Sequence, residues 1–383
     1  MPRIYLDNNA TTPPLPEVIG AMQACLTDNF GNPSSGHYFG EQASAAMEEG
    51  RGQVARLLGC HERNIVFTSG GTEANNLAIW SAIANHPDKK HIISSQVEHA
   101  SVLTPLHFLR NRYGYEVDLL PVGRHGELDL QKLAAAIRPD TALVSLMGAN
   151  NENGVIWPLG EIGQLCKERS VLFHSDAVQM VGKVELDVCA LHVDYLSMAA
   201  HKLHGPKGIG GLYVRRNAPL TPLIMGSDQE SGRRAGTENV AGIVGFGVAC
   251  AMAGKEIARH ESHVATLRNR MEKTIMEQIP DVVINGRNNP RLANTLNVSF
   301  KHCSSAALIQ ELDEKGIAVS AHSACQSGDL DPSHVLQAMG VEEEFLHGTL
   351  RISLNRYTSE KEVGRFLGHL PGIIAKSRQG LAL

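Results

Sequence analysis

Short apolar runs alternate with amphipathic stretches through most of this chain, and no other feature restricts its fold as much. Apolar runs bounded by turn residues predict strands at 64–68, 91–94, 117–122, 141–147, 171–173, 195–198 and 211–214. Helical periodicity predicts helices between them, among them 130–137, with Asp129 as its cap, and 159–168. Strands that alternate with helices close most readily into an α/β domain around a mostly parallel sheet. After about Gly254 the pattern changes to a long charged helix near 256–278, followed by strands at 295–300, 316–320 and 349–354 with helices between them. The expected division is a large α/β domain over 15–255 and a smaller α+β domain. The smaller one is made from 256–383 and the N-terminal residues 1–14, and it carries Cys325.

Composition narrows the class of protein. At 383 residues and 43% hydrophobic content the chain can build both units. A net charge of -5 argues against a nucleic-acid partner, because phosphate binding needs a basic face. No run is expected to approach the roughly 20 apolar residues of a membrane span. The start, Met1-Pro2-Arg3-Ile4-Tyr5-Leu6-Asp7, has no apolar signal core. The expectation is a cytoplasmic protein with neither membrane nor nucleic acid as partner. Seven cysteines are scattered singly with no C-x-x-C pair, which suits reduced thiols. Cys325 differs, because Ser323-Ala324-Cys325-Gln326-Ser327-Gly328 is a small, polar segment suited to an accessible loop. His322 and Cys325 are spaced like two metal ligands, but no second pair accompanies them, so no metal site is expected.

The unusual polar clusters fall just past the carboxyl ends of the predicted strands, the edge at which open parallel sheets bind ligands. Ser69-Gly70-Gly71-Thr72-Glu73 follows the first strand, Asn150-Asn151-Glu152-Asn153-Gly154 the fourth, and His174-Ser175-Asp176 the fifth. His201-Lys202 follows the sixth, between apolar residues and a Gly-Pro turn. Burial beside His201 and His204 favours the neutral amine of Lys202, and hence Schiff-base chemistry. Residues 69–76 read as a strand-to-helix junction whose amides suit an anion, and they match neither a P-loop nor a dinucleotide fingerprint. Asp176 in a dry cleft can keep a heteroaromatic nitrogen protonated, with Gln179 near the ring's phenolic oxygen and His99 placed to lie over a face of the ring or to move protons as a catalytic group. An amine, a carboxylate and an anion cradle together meet the demands of pyridoxal 5'-phosphate (PLP).

These residues resemble those of the cysteine desulfurases, PLP enzymes that draw sulfur from L-cysteine. The likeness is strongest to the branch of nitrogenase-associated and general iron–sulfur cluster-assembly enzymes. It is carried by Tyr5 to Thr12, Gly31-Asn32-Pro33-Ser34-Ser35, Ser69 to Asn76, Val97-Glu98-His99, Asn150-Asn151-Glu152, His174 to Gln179 and His201-Lys202. Arg233-Arg234-Ala235-Gly236-Thr237-Glu238-Asn239, Ser323-Ala324-Cys325 and Arg351-Ile352-Ser353-Leu354 extend it almost end to end. The resemblance implies the fold type I of PLP-dependent transferases and a homodimer. It implies that Lys202 bonds the cofactor, Asp176 pairs with the pyridinium nitrogen, His99 stacks on the ring and Gln179 binds its phenolic oxygen. Gly71, Thr72 and His201 would hold the phosphate, with Thr237 reaching it from the partner subunit. Asn151 and Arg351 would orient the substrate, and Cys325 would take its sulfur as a persulfide, for an iron–sulfur scaffold or another acceptor. Cys325 is also a candidate ligand of a transient cluster, and His322 a candidate promoter of its ionisation. The related alternatives are a selenocysteine lyase and a class-V aminotransferase; neither requires Cys325.

Three positions depart from the family pattern. Ala199 stands where the family commonly has a hydroxyl residue that binds the phosphate. Gly226-Ser227-Asp228-Gln229-Glu230 replaces a glycine-rich run, and Ala321-His322 replaces a small Ser-Gly pair before the cysteine segment. None of the three removes a group that the chemistry needs.

Overall fold

The computed structural model describes residues 2–321 and 332–380. His322 and Cys325 therefore lie outside the described residues. All seven expected strands form one sheet: β2 (Ile65–Thr68), β3 (His91–Ser95), β4 (Glu116–Leu120), β5 (Thr141–Ser145), β6 (Leu172–Asp176), β7 (Tyr195–Ala199) and β8 (Gly210–Val214), in the order β2-β8-β7-β6-β5-β3-β4. Only β8 runs against its neighbours. The central strands are buried along their whole length, as expected of a parallel sheet covered on both faces.

Helices α1 (Pro16–Thr27), α2 (Tyr38–Leu58), α3 (Gly71–Asn85), α4 (Ala100–Tyr113), α5 (Leu130–Ala136) and α6 (Leu159–Glu168) lie among these strands. Asp129 caps α5 as expected, accepting from the amides of Gln131 and Lys132. One expectation is corrected by α7 (Val240–Arg259). This helix is long and apolar enough, by length and composition, to cross a membrane. In the structure it is a core helix packed on α1 and α2, with Ile243, Phe246, Ala249, Cys250 and Ala253 buried. Its glycines and alanines bring α2 close but conceal the length of the apolar run. The charged helix expected to begin near 256 is the continuation of α7, through a π turn at His260–Val264, into α8 (Ala265–Gln278).

A second, antiparallel sheet joins β9 (Val282–Asn285), β10 (Thr295–Phe300) and β12 (Thr349–Ser353) in the order β12-β10-β9. The N-terminal β1 (Ile4–Tyr5) pairs in parallel with β11 (Ile317–Ala318). Helices α9 (Ser305–Glu314), α10 (His334–Ala338), α11 (Glu343–Leu346) and α12 (Glu360–Gly380) complete the described elements. One apolar core gathers Ile4, Leu6, Leu267, Met271, Val298, Phe300, Ile352 and Phe366. Two further cores fill the two faces of the large sheet, and Val335, Leu336 and Met339 of the α10 region join one of those instead. The N-terminal segment 6–12 crosses between the two sheets: Ser353 accepts from Asn8 and Asn9, while Thr12 donates to the His201 carbonyl.

Candidate active site

Because all strands but β8 share one direction, the ends of β2, β3, β5, β6 and β7 deliver their polar clusters to the same edge. There they enclose a cavity of about 200 Å³. Gly71, Thr72, His99, Asn151, Asp176, Gln179, His201, Lys202 and Arg351, each singled out in the sequence, all line it. Thr237 does not; it lines a separate cavity with Ser69, Glu230 and Arg234. Cys325, the remaining expected site residue, lies outside the described residues.

The strand-to-helix junction at 68–73 is built as a cradle. Gly70 is extended at the helix start, and Glu73 folds back so that its Oε2 accepts the Ser69 amide at 2.8 Å. Arg234 holds the other oxygen of Glu73 at 2.9 Å, and these bonds outweigh burial, so the Glu73 pKa falls. A Cβ at Gly71 would stand 2.7 Å from Cγ2 of Val178, so only glycine leaves the first turn of α3 open to the cavity. The free amides of that turn and the positive end of the helix suit an anion.

Asp176 ends β6, its carboxylate tied down on both oxygens. Oδ1 accepts the Val178 amide at 3.0 Å, and Oδ2 accepts Asn75 Nδ2 at 2.7 Å. The same Asn75 nitrogen donates to Ser101 Oγ at 2.8 Å, and Ser101 Oγ lies 2.7 Å from His99 Nδ1. Nδ1 also accepts the Ser101 backbone amide, so the proton of the neutral ring sits on Nε2. Burial lowers the His99 pKa, against the pull of Asp176 and with the help of Lys202. The imidazole is therefore neutral at pH 7.

Lys202 donates to the backbone carbonyls of Asn9 at 2.6 Å and Ala10 at 2.7 Å. His201 meets Thr11 Oγ1 at 3.2 Å, and burial among Lys202, Lys207 and Lys183 lowers its pKa to about 4. Arg351, from β12, is buried yet lines the cavity. Asp7 accepts from its Nη2 at 2.9 Å and the Asn151 carbonyl from its Nη1 at 3.2 Å, while Nε has no partner among the described residues. Glu98, beside His99, is completely buried. Its Oε1 accepts from Ser95 and the Met147 amide, and burial pushes its pKa up to about 8, so it is protonated at neutral pH. Among the described residues no group of three or more acidic, histidine or cysteine side chains could hold a metal ion.

Sequence reasoning missed Asn75, Ser101, Asp7, Asn9 and Lys183. Asn75 and Asn9 fall inside motifs already quoted, but nothing local distinguishes an asparagine that ties down a carboxylate from one that faces water.

The class-V aminotransferase family model matches residues 4–366. A cysteine desulfurase of Trichormus azollae is 49% identical over 375 residues, covering 98% of this chain and 94% of that protein. The cysteine desulfurase NifS of Azotobacter vinelandii is 44% identical over 379 residues, covering 99% and 94%. Among solved structures, a NifS-like protein superposes with a TM-score of 0.91 at 37% identity, covering 98% of this chain and all of its own.

Proposed function

The chain belongs to the class-V aminotransferase family and is a cysteine desulfurase; from that premise we propose how its own residues perform the reaction. The family implies PLP, and the cavity fits that group. It has an amine (Lys202), a carboxylate fixed on both oxygens (Asp176), and a glycine-opened helix start (Gly71, Thr72) that a single Cβ would crowd. The convergence of those three on one enclosed space is the observation that carries the reading.

In this reading Lys202 bonds the cofactor and Asp176 keeps its ring nitrogen protonated. Gln179 donates to its phenolic oxygen, His99 covers a ring face, and Gly71, Thr72 and His201 receive the phosphate. When bound, PLP supplies an electron-poor ring that stabilises negative charge at the substrate's Cα. Arg351, preset by Asp7, binds the carboxylate of L-cysteine, and Asn151 lies beside it. The Lys202 amine moves a proton at Cα. Cys325 takes the sulfur: the Cβ–S bond breaks, an S–S bond forms, and Cβ gains a proton. L-cysteine and a thiol thus become L-alanine and a persulfide, with atoms in balance. His322 is proposed to assist the thiol. The persulfide passes to an iron–sulfur scaffold or another sulfur acceptor, and Cys325 is the ligand of any transient cluster.

We also propose a homodimer and a two-domain division at about residue 255, in a cytoplasmic enzyme. The dimer is supported by the exposed aromatic cluster Phe30, Tyr38 and Phe39, with the rings of Phe30 and Phe39 stacked at 5.3 Å. It is supported too by Thr237, which sits outside its own chain's cavity and so suits a role across an interface. The division is supported by the apolar core of the smaller unit, which is separate from the two on the faces of the large sheet.

The test is chemical. Borohydride reduction followed by mass spectrometry is expected to find the cofactor on Lys202. With L-cysteine the enzyme is expected to release alanine and gain 32 Da, about the mass of one sulfur atom, at Cys325. Cys325→Ala is expected to keep the PLP absorption and lose sulfur transfer. Unchanged sulfide release from that variant would sink the nucleophile assignment.

A further inference from the structure

Lys183 is a buried lysine to which the reaction described above assigns no part. It lies one helical turn beyond Gln179, in the turn that follows β6, and only 6% of it is exposed. Its Nζ donates to Gln179 Oε1 at 2.8 Å and to Asn9 Oδ1 at 3.3 Å, and it forms no salt bridge among the described residues. A buried ammonium without a carboxylate is costly, and an apolar side chain of the same length would avoid that cost. Its surroundings are otherwise fully used. Asn9 Oδ1 also accepts from Asn294 at 3.0 Å, and Asn9 Nδ2 donates to Thr295 Oγ1 at 2.9 Å and to the Asn151 carbonyl at 3.2 Å.

Two consequences follow from this geometry. An ammonium only donates and the Asn9 carbonyl only accepts. Lys183 on Oε1 and that carbonyl on Nε2, at 3.0 Å, therefore leave the Gln179 amide a single orientation. The second hydrogen on Nε2 stays available to the cavity that Gln179 lines. The Asn9 carbonyl that anchors Gln179 also anchors Lys202, so Lys183 grips the residue on which both depend.

We propose that Lys183 is a positioning residue for the desulfurase reaction. It holds the Gln179 N–H toward the phenolic oxygen of the cofactor, through the hydrogen bond from its Nζ to Gln179 Oε1. The proposal rests on the reading that PLP is bonded at Lys202 with its phenolic oxygen at Gln179. Burial first, then the charges of Lys202 and Arg351, bring the Lys183 pKa down to about 7. The other groups facing this region are Asp7, which neutralises part of the Arg351 charge, and His201 and His204, whose pKa values burial lowers to about 4.

The experiment uses holoenzyme in three forms: wild type, Lys183→Met and Lys183→Gln. Borohydride reduction and mass spectrometry come first; a cofactor found elsewhere than Lys202 in wild type overturns the underlying reading and this proposal with it. With attachment established, the visible band of the cofactor is titrated against pH. Lys183→Met no longer fixes the Gln179 N–H on the phenolic oxygen, so its midpoint is expected about one unit above wild type and its kcat to fall about tenfold or more, with the KM for cysteine unchanged. Lys183→Gln still offers an N–H to Gln179, so it is expected to recover most of that kcat. Wild-type kcat and midpoint in Lys183→Met overturn the proposal. If Lys183→Met does not fold, a Lys183→Gln kcat about tenfold or more below wild type overturns it.

Discussion

The methyl group of Ala199 lies 3.7 Å from the point where a side chain at Gly71 would begin, so position 199 faces the start of α3. A hydroxyl there adds one donor to the proposed phosphate site. Ala199→Ser is expected to tighten PLP binding two- to tenfold, the equivalent of about 0.5–1.5 kcal/mol for one hydrogen bond. Fluorescence titration of the apoenzyme measures it, and an unchanged Kd would mean the phosphate does not reach residue 199. The same scale shows what local sequence can reveal. Lys202, Asp176 and His99 were legible because each is a reactive residue type placed just past an apolar strand. Asn75 and Asp7 were not, because their roles come from partners 101 and 344 residues away in the chain, and Lys183 was not, because its spacing of four from Gln179 says nothing of Asn9, 174 residues away. No window of sequence contains both halves of such a pair.

Helix α3 carries the cradle, and a Cβ at Gly71 in its first turn would meet Cγ2 of Val178 at 2.7 Å. Gly71→Ala places a methyl against Val178, and the helix start or the 177–179 turn must shift. Weakened PLP binding, by about tenfold or more, is expected from displacement of the amides that face the anion. Val178→Ala in the same chain is expected to restore most of it, because it removes the colliding Cγ2. Equal affinity in Gly71→Ala and wild type would place the phosphate elsewhere. Element boundaries moved for identifiable reasons. β4 was expected to reach Val122 but stops at Leu120, because Pro121 has no N–H for the ladder, and Val122 bridges to Leu128 instead. β6 was expected to stop at Phe173 and runs on to Asp176. His174 is satisfied there between Ser145 Oγ at 2.8 Å and Ser197 Oγ at 3.0 Å, so polar residues continue a buried strand at little cost. β9 was missed altogether, being a short edge strand only half of which is buried.

At the scale of the whole molecule, buried titratable groups set how stability follows pH. Burial lowers the pKa values of His174, His201 and His204 from 6.5 to about 4. Between those values the unfolded chain binds protons that the folded one refuses, so acidification favours unfolding. Glu98 opposes them: its folded pKa of about 8 against 4.5 means that it releases a proton on unfolding within that range. Three protons taken up outweigh one released, so stability is expected to fall as pH drops from 6.5 towards 4.5. Calorimetry across that range checks it, and a Tm that rises on acidification would contradict it. The sequence by itself determined the seven strands, their shared ligand-binding edge and the reactive groups placed there, because strand periodicity and turn chemistry are local properties. Only the tertiary structure decided which carbonyls receive Lys202, how the Gln179 amide faces, and which carboxylate holds Arg351. Those choices depend on the N-terminal segment crossing between the two sheets, and no local pattern encodes a contact between residues that far apart.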